Sequence, residues 1–180
     1  MHAYEAARAY IGVPFVHQGR STRGLDCIGL VERALLDAGM EHYRLPANWL
    51  DYGRDPHRGL LEQRMAEVFG APVADMQPGD VVAIKYAGPI RHVGLIGEAE
   101  AGGVRYLTLI HTDSHLGRVT EHRIDDRWAR RIALVFRPRS AASIAVSSVI
   151  GFFSGGPAGQ HLGFMHSPVV GGYCDPENIP

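Results

Sequence analysis

The spacing of apolar residues predicts an early helical part of the chain. Between Asp26 and Gly39 apolar residues recur at helical spacing; Asp26 can cap the first turn and Gly39 can end the helix in the left-handed conformation. A shorter helix is predicted over residues 1–11, and a third from about residue 57 to 69. The apolar face of the third helix is formed by Leu61, Met65 and Val68.

After Gly79 the spacing of apolar residues changes from helical to alternating. Five short strands separated by Gly, Pro and Asp residues are predicted, with the sequences VVAIKY, HVGLIGE, VRYLTLIH, RVTEHRI and RIALVF. Helices followed by consecutive strands indicate an α+β domain. We therefore expect helices packed on a five-stranded antiparallel sheet.

Composition changes sharply near Arg139. Residues 141–180 contain no Lys or Arg and only two acids, Asp175 and Glu177, and they are rich in Gly, Ser and Pro. Such a segment has little means of forming its own core. We expect residues 1–140 to form one folded domain and residues 141–180 to form a low-charge C-terminal tail.

The overall charge and the apolar runs limit the function classes. The formal net charge of −1 gives no reason to expect a nucleic-acid partner. The longest apolar run, over residues 144–153, is interrupted by Ser and Gly and is too short to span a bilayer. Because the N-terminal segment MHAYEAARAYIGVPF lacks the pattern of a secretory signal, we expect synthesis in the cytoplasm without a signal peptide.

Cys27 is the first candidate for chemistry. It follows Asp26 at the start of the second predicted helix, where backbone N–H groups and the helix dipole favour a thiolate, the reactive form of cysteine. A small buried residue that opens a helix is the alternative reading, because free cysteines are commonly buried. The other cysteine, Cys174, lies in the tail, and two cysteines this far apart do not indicate a disulfide framework.

The residues around Cys27 resemble a known family. The segment GVPFVHQGRSTRGLDCIGLVERAL is similar to the nucleophile signature of the NlpC family, papain-like cysteine peptidases of bacterial cell walls, in which an aromatic residue and a glycine-containing loop precede Asp-Cys-Ser-Gly-Phe/Leu-Val. This chain departs from the pattern at Ile28 and at Phe15, where the family usually has Ser and Tyr. Over roughly residues 2–138 the resemblance implies a papain-like fold with Cys27 as the nucleophile. The implied substrate is the peptidoglycan stem peptide, cut between γ-D-glutamate and diaminopimelate, with no cofactor.

The same resemblance implies that His92 is the base and His111 the residue that orients it. In the family a base in a His-Val-Gly/Ala strand follows a Gly-Asp-Val/Leu strand, here residues 79–81, and the orienting residue is His, Asn or Gln. A turn at Gly102-Gly103 would make His92 and His111 diagonal neighbours on one face of a hairpin, whereas a turn centred one residue earlier would make them directly opposite. Either register lets His111 contact the far nitrogen of His92.

Asp113 and His115 are the alternatives to His111 as the orienting residue. His111 and His115 also have a metal-like spacing, but no Cys or Glu cluster nearby would complete a tetrahedral site, so we expect no metal.

Four residues before Cys27 are expected to contribute to substrate binding. Phe15 replaces the family's tyrosine, and His17 and Gln18 either line the substrate groove or close the loop before the helix. Asp26 is assigned to the same set, although its position fits a helix cap better than a catalytic acid.

The local sequence is most similar to a subfamily encoded beside phage tails and gene transfer agents. The features that carry this likeness are His17-Gln18, Asp-Cys-Ile-Gly, a later Arg-Leu-Pro and a tryptophan. The resemblance implies an enzyme associated with a phage tail or virion and acting at the bacterial wall. Because residues 141–180 have little charge and much Gly, Ser and Pro, we expect them to contact a larger assembly such as tail-tip proteins. Two alternatives are a thiol acyltransferase or amidase on the same fold, and a tail-tip structural subunit without activity.

Overall fold

The computed structural model describes residues 1–49, 59–86 and 88–140. In these ranges the helices are α1 (Ala3–Arg8), α2 (Cys27–Asp37), α3 (Leu60–Phe69) and α4 (Asp126–Ala129), with two 3₁₀ turns at Glu41–Tyr43 and Ala47–Trp49. The strands are β1 (Arg20–Ser21), β2 (Gly24–Leu25), β3 (Val81–Lys85), β4 (Ile90–Ala101), β5 (Val104–His111), β6 (Thr120–Arg123) and β7 (Ile132–Phe136).

Strands β3 to β7 form one antiparallel sheet of five strands in the order β6-β5-β4-β3-β7. This confirms the predicted α+β class, and each of the five predicted strands is present with ends shifted by a few residues. The short pair β1–β2, the single turn of α4 and the two 3₁₀ turns were not predicted. The two-residue strands β1 and β2 pair with each other just before Cys27, and the single turn of α4 precedes β7.

Of the two registers considered from the sequence, the β4–β5 hairpin has the one with its turn at Gly102-Gly103. Ala101 pairs with Val104, and Gly102 and Gly103 form a two-residue turn with φ angles of +60° and +78°. Positive φ at both central positions is typical of a type I′ turn, which matches the twist of the strands and favours glycine. Since Leu95 pairs with Ile110, this register sets His92 and His111 as diagonal neighbours.

Helix α2 covers one face of the sheet. Its buried residues Leu30, Val31, Ala34 and Leu35 belong to a core cluster that includes Val93, Leu95 and Ile110 of the sheet. The predicted N-cap is confirmed, because the Asp26 side chain accepts a hydrogen bond from the N–H of Gly29. Gly39 has a φ of +84°, as expected for the left-handed end of this helix.

The other two predicted helices are shorter than expected. Helix α1 ends at Arg8 because the next residues form tight turns, in which the N–H groups of Tyr10 and Ile11 bond carbonyls three residues back. Helix α3 begins at Leu60, and the predicted start at residues 57–58 lies outside the described residues. On α3 Met65 is buried and Leu61 and Val68 pack on the core, which confirms its predicted face.

The last described residues are hydrogen-bonded to the 3₁₀ turn at Glu41–Tyr43. The N–H of Arg139 donates to the hydroxyl of Tyr43 at 2.8 Å, and the Arg139 carbonyl lies 3.0 Å from Nε2 of His42. Residues 141–180, the expected tail, lie outside the described residues. Within the described ranges, no helix has the length and apolar character needed to cross a membrane.

Candidate active site

The start of helix α2 is held by the side chain of Asp26, which is 2% exposed. One carboxylate oxygen accepts from the N–H of Gly29 at 2.8 Å and from the guanidinium of Arg20 at 2.7 Å. The other oxygen accepts from the N–H of Gln18 at 2.8 Å. Asp26 therefore fixes the loop at residues 18–20 to the turn that carries Cys27, and its role is structural.

Gly29 permits this close contact between loop and helix. A Cβ at this position would lie 2.0 Å from the carbonyl oxygen of Gly19, a separation no side chain can adopt without moving the backbone. The segment that approaches Gly29 is the loop before the nucleophile motif. Gly29 thus helps to set the position of the Cys27 turn.

Cys27 lies half-buried on the first turn of α2. Burial raises the pKa of its thiol to about 12, and the nearby Asp26 carboxylate raises it as well, whereas backbone N–H groups of Val93 and Ile28 and the charge of Arg20 lower it. The expectation of a thiolate stabilised by the helix start is therefore wrong for the resting protein, because desolvation outweighs the backbone groups. Cys27 needs a base to lose its proton.

His92 and Cys27 line one cavity, at the end of the sheet where the pairing of β4 with β5 stops. That pairing begins at Leu95 and Ile110, so the preceding residues of β4 have no partner on β5. The backbone of Val93, in this unpaired part of β4, lowers the pKa of the Cys27 thiol. His92 precedes Val93 in the chain, and its side chain, 3% exposed, lines the same cavity as Cys27.

His92 and His111 form a direct hydrogen bond, with 2.8 Å between Nε2 of His92 and Nδ1 of His111. Burial lowers the pKa of His92 to about 4, against the opposing effects of the Asp113 and Asp26 carboxylates. Burial also lowers the pKa of His111 to about 3, with further lowering by the His92 and His122 rings. Both imidazoles are therefore neutral at physiological pH, and His92 can accept a proton.

A third imidazole, which the sequence analysis did not identify, continues the line. Nε2 of His111 lies 2.9 Å from Nε2 of His122, and Nδ1 of His122 lies 2.9 Å from the carbonyl oxygen of Arg123. His122 is on β6, where Leu109 is its direct partner, so it is the diagonal neighbour of His111. The signal in the sequence was the strand RVTEHRI, whose alternation gives His122 a fixed face once β6 pairs with β5.

The two alternatives to His111 have other contacts. His115 is exposed, and its N–H and that of Leu116 both bond one oxygen of Asp113. The other oxygen of Asp113 accepts from the hydroxyl of Tyr86 at 3.1 Å. Burial alone would raise the pKa of Asp113, but these contacts and the neighbouring His92 lower it, so Asp113 is a carboxylate near the paired imidazoles.

Three of these residues are grouped closely enough to consider a metal. His92, His111 and Asp113 each offer one ligand atom, and these atoms lie within 4.8 Å of one another. This set differs from the pair with metal-like spacing in the sequence, His111 and His115. The His92–His111 hydrogen bond and the N–H and hydroxyl donors on Asp113 account for this cluster as a hydrogen-bonded network.

A cavity of about 690 Å³ opens at Cys27 and His92. Phe15, His17 and Asp26, three of the expected substrate-binding residues, line it, whereas Gln18 is not among the described residues that do. Gln18 has a φ of +59°, and its N–H is bonded to Asp26, so the structure supports the loop-closing alternative for it. The charged lining residues are Asp26, Glu32, Arg64, Arg91 and Asp113.

Comparison with known proteins identifies the family of this chain. Residues 12–135 match the model of the NlpC/P60 family, a span that contains Cys27, His92 and His111. Among solved structures, the crystal structure of the NlpC/p60 domain of the peptidoglycan hydrolase SagA is 22% identical, covers 76% of this chain and 96% of that chain, and has a TM-score of 0.46. A search of curated proteins finds no match. Because the family model covers most of the chain, this protein belongs to the NlpC/P60 family.

Proposed function

We propose that this protein is a cysteine peptidase that hydrolyses an amide bond in the stem peptide of peptidoglycan. The NlpC/P60 family consists generally of cysteine peptidases and peptidoglycan hydrolases. The observation that carries the proposal is the site itself. A thiol at a helix start and a neutral imidazole line one cavity, and a second imidazole is bonded to the far nitrogen of the first. This is the arrangement of a nucleophile, a base and a residue that orients the base.

The raised thiol pKa and the lowered imidazole pKa define the first step. Because burial disfavours both the thiolate and the imidazolium, the resting pair is neutral, and proton transfer accompanies attack. The Cys27 proton moves to Nδ1 of His92, since Nε2 is bonded to His111. The sulfur then forms a bond to the amide carbonyl carbon.

The second half of the reaction regenerates the thiol. Imidazolium at His92 gives its proton to the leaving amine as the carbon–nitrogen bond breaks, which leaves a thioester on Cys27. A water molecule then attacks the thioester while His92 accepts one of its protons. The products are a carboxylic acid and the thiol, and His92 returns the proton to sulfur.

The charges at the cavity support an acidic peptide as substrate. Arg64 and Arg91 line the cavity, and guanidinium groups bind carboxylates through paired hydrogen bonds. Two of the acids in the lining, Asp26 and Glu32, are both paired with Arg20. A stem peptide carries free carboxylates beside its γ-D-glutamyl bond, and we propose the bond between γ-D-glutamate and diaminopimelate as the one that is cut.

The resemblance of the loop before Cys27 to phage-tail enzymes supports a location on a tail or virion, with action at the bacterial cell wall. Under this proposal residues 141–180 contact other tail-tip proteins. Binding of a purified tail-tip subunit to the full chain, and loss of that binding on removal of residues 141–180, would test it.

Product analysis of defined muropeptides tests the activity. The full chain is incubated with disaccharide tri- and tetrapeptides, and the products are identified by mass spectrometry, with Cys27→Ser as the matched control. We expect a new amine at diaminopimelate and a new γ-carboxylate, and no product with Cys27→Ser. A second reaction containing a primary amine separates hydrolysis from acyl transfer, because a transferase would form the substituted amide. Intact muropeptides after prolonged incubation would contradict the proposal.

A further inference from the structure

Three imidazoles and one carbonyl form a continuous line of hydrogen bonds that leads away from Cys27. The nitrogen–nitrogen distances are 2.8 Å between His92 and His111 and 2.9 Å between His111 and His122. The line ends 2.9 Å beyond His122 at the carbonyl oxygen of Arg123. Every ring nitrogen in the line is thereby paired except Nδ1 of His92.

The carbonyl at the end fixes the proton positions along the whole line. A carbonyl oxygen only accepts, so Nδ1 of His122 carries a proton and, in the neutral ring, Nε2 does not. Nε2 of His111 must then be the donor to His122, which leaves Nδ1 of His111 as an acceptor. His92 must donate to that acceptor from Nε2, so Nδ1 of neutral His92 has a free lone pair.

We propose that His122, anchored on the Arg123 carbonyl, is a positioning residue that holds His92 in the tautomer able to accept the Cys27 proton. His111 alone does not determine this tautomer, because a neutral His111 can donate or accept at Nδ1. The donor and acceptor in the His92–His111 hydrogen bond are set by His122, the next residue along the line. His122 does not belong to the set of nucleophile, base and orienting residue.

Trp128 of α4 holds the outer two rings in place. The Trp128 ring centroid is 5.0 Å from His111 and 4.7 Å from His122, and the His111–Trp128 planes are 68° apart. The guanidinium of Arg131 lies 5.2 Å from the ring centroid of Trp128. His122 is only half-buried, and this packing adds to its two hydrogen bonds in restricting the rotation of the ring.

The wrong tautomer would disable the site without disturbing the fold. If His111 donated from Nδ1, Nε2 of His92 would accept, and Nδ1 of His92 would carry a proton and could not accept one from Cys27. That arrangement has a donor where the thiol needs an acceptor. Loss of the His122 acceptor should therefore lower kcat more than it changes substrate affinity.

Two substitutions at His122 separate positioning from packing. His122→Phe keeps a ring against Trp128 but removes the acceptor, whereas His122→Gln can accept from His111 and donate to a carbonyl. His115→Phe is the matched control at an exposed histidine. Two readouts are used on the full chain: kcat and KM on a muropeptide, and ¹⁵N chemical shifts of the imidazoles near pH 8, assigned with His92→Gln.

The expected result is a wild-type spectrum with an unprotonated Nδ1 and a protonated Nε2 at His92. In His122→Phe we expect the two His92 signals to move toward each other as both tautomers become populated, with kcat about tenfold lower and KM within about twofold. His122→Gln should restore most of kcat and the wild-type shifts, and His115→Phe should change neither.

A protonated Nδ1 at His92 in the wild type, or an unchanged His92 spectrum in His122→Phe, would overturn the inference. Equal loss of kcat in His122→Phe and His122→Gln, accompanied by equal loss of thermal stability, would show a purely structural role. The kinetic readout rests on the proposed hydrolase function, but the spectra do not, so a failure of that function leaves the tautomer assignment testable.

Discussion

Acidification should destabilise the fold through the two buried imidazoles before most carboxylates titrate. In the native protein His92 and His111 have pKa values lowered to about 4 and about 3, mainly by burial, whereas an exposed histidine in the unfolded chain titrates near pH ~6.5. Between these values the unfolded state binds protons that the native state does not. The stability that the two neutral rings contribute is therefore fully present above about pH 6.5 and is lost as the pH falls toward about 4.

The size of the stability loss follows from the pH range in which the unfolded state is protonated at these rings and the native state is not. Each fully titrating group changes the free energy of unfolding by about 1.4 kcal/mol per pH unit. From about pH 6.5 to about pH 4.5 this gives roughly 3 kcal/mol for one ring and at most about 6 kcal/mol for both. A loss of this size is a large part of the stability of an ordinary domain, which is about 5–15 kcal/mol.

Urea unfolding followed by tryptophan fluorescence at several pH values between about 4.5 and 7.5 measures the effect. The double variant His92→Gln/His111→Gln removes the titrating rings and should lose most of the pH dependence, whatever its absolute stability. His115→Gln alters an exposed histidine and should keep the wild-type slope. If the wild type and the double variant lose stability equally between pH 6.5 and 4.5, the buried imidazoles are not the cause.

The remaining predictions concern the site residues, metal and the tail. His92→Ala should abolish hydrolysis of muropeptides with an unchanged circular dichroism spectrum. His111→Ala should lower kcat by about ten- to a thousandfold, and His111→Gln should recover part of that loss. Greater loss in His115→Ala than in His111→Ala would show that the orienting residue is misassigned. Hydrolysis should survive excess chelator, and its loss on chelation with recovery on adding zinc would indicate that the histidine cluster holds an ion. Gly29→Ala should lower the thermal midpoint and the activity together, because its Cβ meets the Gly19 carbonyl; wild-type values for both would contradict that contact. Removal of residues 141–180 should leave a soluble, active protein, and aggregation would show that these residues complete the core.

The sequence predicted the parts of the fold that depend on local pattern. The alternating strands, the Asp26 cap and the left-handed Gly39 are local features, and all three are present. The Gly102-Gly103 turn was sufficient to limit the β4–β5 register to two choices, and the structure has the diagonal one. The short pair β1–β2 and the single turn of α4 have too few residues to produce a periodic signal.

The candidate site was predicted in part. The motif around Cys27 and the strand that begins near His92 identified two residues that the structure brings to one cavity, and His111 contacts His92 as expected. His122 was missed because its role depends on the β5–β6 register, which no turn motif in the sequence defines. The thiol pKa was misjudged because a helix start is visible in sequence, whereas desolvation is a property of the folded surroundings.

Covalent labelling by a substrate-like electrophile tests the central claim, that Cys27 is the nucleophile and His92 its base. A stem-peptide analogue with a chloromethyl ketone in place of the scissile amide is added to the full chain, and modified peptides are mapped by mass spectrometry. We predict one adduct, on Cys27, that forms in parallel with the loss of hydrolysis and much more slowly in His92→Ala, because the raised thiol pKa makes the base necessary. Cys174 is an internal control and should stay unmodified. Loss of hydrolysis without modification of Cys27, or hydrolysis that persists after Cys27 is fully modified, would contradict the account.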